Sequence, residues 1–327
     1  MKLLILGKRE VERLLPMQKC IELMEDALAS LARGEVILPL RPVLRIPDTQ
    51  NVFALMPAYS KSLRAIGTKL ITVFPSNHGT ELDSHQGAVV LIDGERGSPL
   101  AMMDAASITA VRTAAVSAVA TKLLARKNAT TLTILGSGVQ GGTHIDAMLA
   151  ARPFRKVLVW SRNAAHARAL ASRSRQRHGI DIEPTDDAMT AVNAADVVCT
   201  ATASREPILR GEWLRAGTHV NAVGASIPTA RELDTEAVAR SRVFVDRRES
   251  ALNEAGDVLI PIREGAITAD HIAGEIGDLL TGTRSGRQND TEITLFKSLG
   301  LAIEDLASAH YLHDRAKREQ AGTWVEL

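Results

Sequence analysis

Aromatic side chains are nearly missing from this chain: Phe, Trp and Tyr together make up 3% of its 327 residues. Rows of stacking rings for nucleic-acid bases are thereby excluded. A surplus of charge is missing too. Against 39 Lys and Arg stand 38 Asp and Glu, a net charge of +1, and no block of one sign suits a nucleic-acid or membrane partner. The densest basic stretch, Arg168 to Arg177, mixes its arginines with Ala and Ser and reads as a solvated helix face. No apolar run approaches the ~20 residues of a bilayer crossing, and charge enters Met1 to Glu10 too early for a secretory signal. Cysteine is scarce: Cys20 and Cys199 lie far apart in apolar settings and read as reduced core thiols of a cytoplasmic protein. No nucleophile elbow or P-loop lysine motif occurs. His310 and His313 have the spacing of metal ligands, but no third ligand of the usual kinds is spaced nearby, so no metal is expected.

What remains is a patterned α/β chain, long enough for two domains at roughly 100–200 residues each. Val11 to Arg33 carries helical spacing and ends at Gly34. Short β-like runs follow at Arg41–Ile46, Val52–Met56, Ala65–Val73 and Ala88–Ile92, the last joined to Pro99–Met103 by the hairpin signal Asp93-Gly94-Glu95-Arg96-Gly97. Ala105 to Arg126 is an alanine-rich helix. From Thr131, six expected strands (Leu132–Leu135, Val157–Trp160, Ile180–Glu183, Val197–Thr200, His219–Val223 and Val243–Val245) alternate with helical stretches. This predicts a Rossmann-type, doubly wound parallel sheet over residues 127–294. After Ile272 the chain reads as helical, and Leu295 to Arg318 as one long amphipathic helix returning to the first domain. That domain is then discontinuous, residues 1–126 with 295–327, and of α+β type.

The run Thr131-Leu132-Thr133-Ile134-Leu135-Gly136-Ser137-Gly138-Val139-Gln140-Gly141 is a strand, a glycine turn and a helix start in sequence. Glycine suits the tight turn at Gly136, a Cβ at Gly138 would block a pyrophosphate from the backbone N–H groups, and Gly141 lets the helix pack on its strand. The motif alone is weak, but this is the context it requires. Where an NAD enzyme places a carboxylate against the ribose 2′-hydroxyl, roughly 20–25 residues on, the chain has Trp160-Ser161-Arg162. Arg162 can pair with a 2′-phosphate that a carboxylate would repel, and Ser161 can hydrogen-bond it, so NADPH is expected over NADH. Thr200 and Val223, at the ends of two expected strands, complete the expected cofactor set.

Three cations in the first domain stand out: Arg45, Lys69 inside an apolar β-run, and Arg112 inside the alanine-rich helix. Buried cations are costly unless paired, so each expects either an anionic ligand or an internal salt bridge. His78 and His85 flank a polar, glycine-containing loop, where they line a site or are simply solvated.

Taken in order, several segments resemble the ornithine cyclodeaminase/μ-crystallin family across nearly the whole chain. They are Gly67-Thr68-Lys69, Phe74-Pro75-Ser76-Asn77, Pro99-Leu100-Ala101-Met102-Met103-Asp104, Thr109-Ala110-Val111-Arg112-Thr113-Ala114-Ala115, the glycine motif, Asn221-Ala222-Val223-Gly224-Ala225, Arg231-Glu232-Leu233-Asp234 and Thr294-Leu295-Phe296-Lys297-Ser298-Leu299-Gly300. The resemblance implies a homodimer whose N-terminal domains join their sheets, with the nicotinamide cofactor on the second domain. It also implies that Arg45, Lys69 and Arg112 hold a substrate carboxylate near the nicotinamide and that Thr113 lies beside the cofactor. Where the cyclodeaminase branch carries an aspartate, this chain has Ser226 in Gly224-Ala225-Ser226-Ile227-Pro228. A serine cannot serve as a carboxylate base, and it is similar to the ketimine-reductase branch.

The expected function is therefore NADPH-dependent reduction of cyclic ketimines, 1-pyrroline-2-carboxylate to L-proline and 1-piperideine-2-carboxylate to L-pipecolate. The alternatives are an ornithine cyclodeaminase, an open-chain amino-acid or opine-type dehydrogenase, and an NADPH-binding protein without turnover. The ring size preferred and the proton donor, solvent or Lys69, stay open at this point.

Overall fold

A computed structural model describes residues 2–77 and 80–326; His78 lies outside the described residues. The chain divides into two units, Met1–Arg112 with Leu301–Leu327, and Thr113–Gly300.

The first unit opens with β1 (Lys2–Leu6), α1 (Lys8–Leu14) and α2 (Met17–Ala32). The helical spacing expected across Val11–Arg33 is broken because Leu15 precedes Pro16, and a residue before proline is pushed out of the helical region; Leu15 sits at φ −113, ψ 76. Then come β2 (Val36–Ile37), β3 (Val43–Arg45), β4 (Val52–Ser60), β5 (Ala65–Val73), β6 (His85–Asp93), β7 (Pro99–Asp104) and the helix α3 (Ala105–Leu124). After the second unit the chain returns as α11 (Ala302–Glu319) and β16 (Thr323–Glu326). The strands form one mixed sheet in the order β16-β1-β7-β6-β5-β4-β2, with β3 paired to β4. The period-two alternation of β4 and β5 sends Ala54, Met56 and Ala58, and Ala65, Gly67 and Lys69, inward, while their neighbours stay half-buried. Helix α11 lies close on this inward face: a Cβ on Gly67 would stand 2.9 Å from Leu306 Cδ1.

The second unit holds β8 (Thr131–Leu135), α4 (Val139–Ala151), β9 (Lys156–Trp160), α5 (Ala164–His178), β10 (Asp181–Thr185), α6 (Ala188–Ala194), β11 (Val197–Thr200) and β12 (His219–Ala222). It continues with α7 (Thr235–Ala239), β13 (Ser241–Val245), α8 (Arg248–Glu254), α9 (Gly256–Arg263), β14 (Ile272–Glu275), α10 (Ile276–Leu280) and β15 (Ile293–Lys297). Its sheet is parallel throughout, in the order β10-β9-β8-β11-β12-β15-β13-β14. The doubly wound expectation holds, with eight strands instead of six. The two additional strands, β14 and β15, fall where helix was expected. Ile293 to Lys297 is buried at every position between two parallel neighbours, and such a strand reads as a continuous apolar run that periodicity cannot distinguish from a helix. Gly300, at φ +78, then turns the chain into α11.

The division between units also differs from the one expected. It falls at Arg112/Thr113 and Gly300/Leu301, not at 126/127 and 294/295, because β15 is a central strand of the second sheet and the latter half of α3 packs with that unit. By length and composition alone Ala105–Leu124 is long and apolar enough to cross a membrane, contrary to the reading of apolar runs, yet 78% of its apolar window is buried inside the protein.

Candidate active site

The glycine turn of the second unit is set largely by close packing. Gly136 takes φ +130, where a Cβ would stand 2.4 Å from Ala201 O, and a Cβ on Gly141 would stand 2.2 Å from Gly136 O. At Gly138 a Cβ meets nothing within 4 Å. Two of the three glycines are thus required by the protein's own packing, whereas a Cβ at the third would meet open space. Gly138 is the N-cap of α4 and offers no side-chain cap, so the first-turn N–H groups of α4 stand at the positive end of a helix without a cap from that residue. His144 holds that turn in place. Its Nδ1 donates to Gln140 O at 2.7 Å, and Nε2 accepts from Ser117 Oγ at 2.9 Å. Burial pushes its pKa down to about 4, so the ring stays neutral. At the end of β9, Ser137 Oγ donates to Ser161 Oγ at 2.9 Å, which leaves the Ser161 proton for an acceptor outside. Arg162 beside it is exposed. Thr113 is buried.

A carboxylate the sequence reading passed over shapes the strand ends. Glu232, fully buried, takes Thr200 Oγ1 (2.8 Å) and Gly224 N (2.6 Å) on one oxygen and Thr202 N and Oγ1 (both 2.7 Å) on the other. Desolvation, with Asp257 adding repulsion, raises its pKa, and Lys297 and the threonine hydroxyls offset part of that. Behind it Asp257 Oδ1 accepts the N–H groups of Glu232 and Leu233 at 2.8 and 3.0 Å, and Lys297 Nζ lies 2.9 Å from Asp257 Oδ2. Thr200 therefore spends its hydroxyl proton inside the protein. Val223 N donates to Thr200 O at 3.0 Å, joining the two strand ends. Ser226 projects from the following loop and is exposed.

In the first unit Lys69 and Arg112 are both buried and both paired. Lys69 Nζ lies 2.8 Å from Asp305 Oδ2 and donates to Thr109 Oγ1 at 3.3 Å. Arg112 donates through Nε to Asp305 Oδ1 at 2.9 Å and through Nη1 to Glu304 Oε2 at 2.6 Å. Internal salt bridges thus occupy much of both cations, and Arg112 has only Nη2 untouched for a ligand. Burial, then repulsion from Arg112, pushes the Lys69 pKa down to about 8 despite Asp305. Burial also opposes the Arg112 charge, but Asp305 and Glu304 outweigh it and raise that pKa. For Asp305 burial is outweighed by Arg112 and Lys69, which hold the carboxyl below its ordinary range. The asymmetry has a simple cause: Asp305 serves two cations, whereas Lys69 has one close carboxylate and a guanidinium for a neighbour.

With two cations and two carboxylates the buried cluster sums to zero, so attraction for an anion must come from a further charge. Arg45 is a further positive charge in the same sheet. It pairs across β3 with Val52, which pairs with Val73, while Lys69 pairs with Met56. Directly opposed residues share a face, so Arg45, Val52 and Val73 lie on the same face as Met56 and Lys69. Arg45 is four residues further along, roughly 13 Å at ~3.3 Å per residue, and is exposed. His85, paired with Val73, joins that face. The structure thus brings Lys69 and Arg112 together on Asp305 and leaves Arg45 and His85 at the open end of their face. Glu304 and Asp305 escaped the sequence reading because the helix was drawn from Leu295, which blurred the first-turn acidic pair at its true start. His310 and His313 flank Asp314, and among the described residues no group of three or more His, Cys, Asp or Glu is placed to hold a metal.

Comparison with known proteins places the chain. The family model of the ornithine cyclodeaminase/mu-crystallin family matches residues 1–320. A Delta(1)-pyrroline-2-carboxylate reductase of Bacillus cereus is 38% identical over 326 residues, 99% of this chain and 100% of the relative. The ketimine reductase mu-crystallin of Mus musculus is 41% identical over 294 residues, 89% and 90% of the two chains. Among solved structures, Thermococcus litoralis Delta(1)-pyrroline-2-carboxylate reductase in complex with NADH and L-proline superposes with a TM-score of 0.96 at 39% identity, covering 98% and 99%. An archaeal alanine dehydrogenase dimer with bound NAD gives 0.95 at 31% identity, covering 100% of both.

The glycines separate packing from binding. Gly138→Ala should fold with its melting temperature unchanged and lose about tenfold or more in dinucleotide affinity, about 1.4 kcal/mol. Gly141→Ala should destabilise the protein by about 1–3 kcal/mol through overpacking. Thermal melting with cofactor-fluorescence titration decides, and a Gly138→Ala protein with unaltered binding would contradict the cradle.

Proposed function

This chain belongs to the ornithine cyclodeaminase/mu-crystallin family, and on that premise we propose that it reduces cyclic imino acids with a nicotinamide cofactor. The substrates are 1-pyrroline-2-carboxylate, giving L-proline, and 1-piperideine-2-carboxylate, giving L-pipecolate, in line with the activities named for its relatives. The observation that favours reduction over deamination is the absence of a usable base beside β12. Ser226 stands there instead of an acid, and the nearest carboxylate in sequence, Glu232, already receives four donors. A carboxylate so engaged is a brace, not a general base.

The residues present fit a dinucleotide: the first turn of α4 suits the pyrophosphate, and the opening at Gly138 is the space it needs. When bound, the reduced nicotinamide supplies a hydride. The protein must hold the acid group, orient the C=N bond and deliver a proton. Arg45 brings the surplus positive charge and a guanidinium fork that no described residue engages, and Arg112 adds Nη2. Lys69 donates one N–H to Thr109 and is ion-paired with Asp305; we assign a further N–H to the ring nitrogen. As the C=N π bond opens, its carbon gains the hydride and its nitrogen the Lys69 proton, which solvent then restores. An iminium accepts hydride better than a neutral imine, so a lysine near neutrality is a suitable acid.

Cofactor choice rests on the end of β9, where Ser161 and Arg162 stand without a carboxylate, and the proposed cofactor is NADPH. Assembly rests on the sheet face turned away from α11. Leu55, Tyr59, Ile66, Leu70 and Val90 stay half-buried there and Met102 is 39% exposed, an apolar surface suited to a second copy of the same sheet.

Three measurements follow. The enzyme should oxidise NADPH with either cyclic imine and no added amine, and kcat should fall as pH rises through about 8 while Lys69 loses its proton. Ammonia release from ornithine with no imine turnover would contradict the reading. Arg162→Ala should raise KM for NADPH about 10–100-fold, the loss of a charge-assisted pair at about 1.5–3 kcal/mol, and leave KM for NADH within about twofold; equal changes for both would remove the 2′-phosphate assignment. Light scattering should give twice the 35.1 kDa chain mass, and Leu70→Asp should halve it; a monomeric parent protein would contradict the sheet-to-sheet dimer.

A further inference from the structure

The buried pair on α11 is unexplained by stability alone. Four charges, Lys69, Arg112, Glu304 and Asp305, are taken out of water together, and apolar residues of similar volume generally serve a core as well or better. The arrangement is nonetheless specific. Asp305 uses its two oxygens on two different cations, Oδ2 on Lys69 and Oδ1 on Arg112, while Glu304 Oε2 is set against Arg112 Nη1. The first turn of an 18-residue helix carries both acids, where the helix dipole favours them. Leu306, next in sequence, is seated against the Gly67 position, two residues from Lys69. The carboxylate that spans the cations is therefore fixed from both sides.

We propose that Asp305 is a positioning residue for the reduction, setting the separation of Lys69 and Arg112 by contact with both, with Glu304 orienting Arg112. This rests on the reductase reading and adds to it a division of labour between adjacent acids. Both roles act through the cations. Without Asp305, Lys69 would be buried beside a guanidinium with no close carboxylate of its own, and its ammonium would be disfavoured on both counts. The groups facing Lys69 are Arg112 and Thr109 from α3, Asp305 and Glu304 from α11, and His85 from β6. Cys20 from α2, in the same cluster, has its thiol pushed up by burial to about 12 and stays neutral. Of these, only the two acids oppose the loss of the lysine proton.

The test is a titration of Lys69 in the full chain with NADPH present, by 15N NMR of the lysine amines, the resonance assigned by its absence in Lys69→Arg. Asp305→Asn should lower the midpoint by about one unit or more, and Glu304→Gln, whose carboxylate does not touch the lysine, by clearly less. In the pH profile of imine reduction the alkaline limb should move with it, and Glu304→Gln should instead raise KM for the imine. A midpoint that stays or rises in Asp305→Asn, or that moves as far in Glu304→Gln, would overturn the assignment. Should Asp305→Asn not fold, Asp305→Glu keeps the charge but shifts it. Its midpoint should stay within about 0.3 of the parent while kcat falls about fivefold or more, and an unchanged kcat overturns the positioning role. Failure of the parent protein to turn over either imine would sink the reductase reading, which the NMR titration does not depend on.

Discussion

Two cations kept out of water by two carboxylates are the constraint around which the first unit is organised. Lys69 lies in the middle of a strand, Arg112 in a helix of alanines, and neither is tolerable in those places without a partner. The chain supplies both partners from a helix that begins nearly two hundred residues later in sequence, after the entire second unit. The discontinuity of the first unit is thus electrostatic in purpose as well as topological. Removing α11 would expose apolar sheet, and it would also leave two buried charges unmatched.

The second unit repeats the principle with the sign reversed. There the buried acids Glu232 and Asp257 outnumber Lys297, and the balance is made by backbone N–H groups and threonine hydroxyls drawn from the ends of β11 and β12. A carboxylate that accepts four hydrogen bonds cannot take up a proton without breaking one. The strand ends, where ligands of open parallel sheets bind, are therefore held rigid by an anion with no freedom for base chemistry. That agrees with a reaction whose protein side consists of gripping an acid group and giving up one proton.

Much of this was legible from residue order. The glycine turn, the Ser161-Arg162 strand end, the alternation of the second unit and the three cations could all be read locally, since each depends on neighbours in sequence. What could not be read depends on partners far away. Glu304 and Asp305 look like ordinary helix-start acids until the fold sets them against Lys69 and Arg112. Ile293 to Lys297 reads as helix because a strand buried on both faces has no alternation to show. Thr200, placed with the cofactor set for its position, proves to give its hydroxyl to Glu232, a pairing that no spacing announces. The internal salt bridges also modify the simplest picture of three free cations around a ligand: Lys69 and Arg112 are paired, whereas no described residue engages the fork of Arg45.

Selective recognition of an acid group on an unsaturated ring is the claim on which the rest turns, and calorimetry on the NADPH-loaded protein tests it directly. Pyrrole-2-carboxylate is planar and lacks a reducible imine, and pyrrole-2-carboxamide matches its shape without the charge. The account predicts that the carboxylate binds at least about tenfold more tightly than the amide, a difference of about 1.4 kcal/mol, and that Arg45→Met removes most of that difference. Equal binding of the two compounds, or a preference untouched by the loss of Arg45, would contradict it.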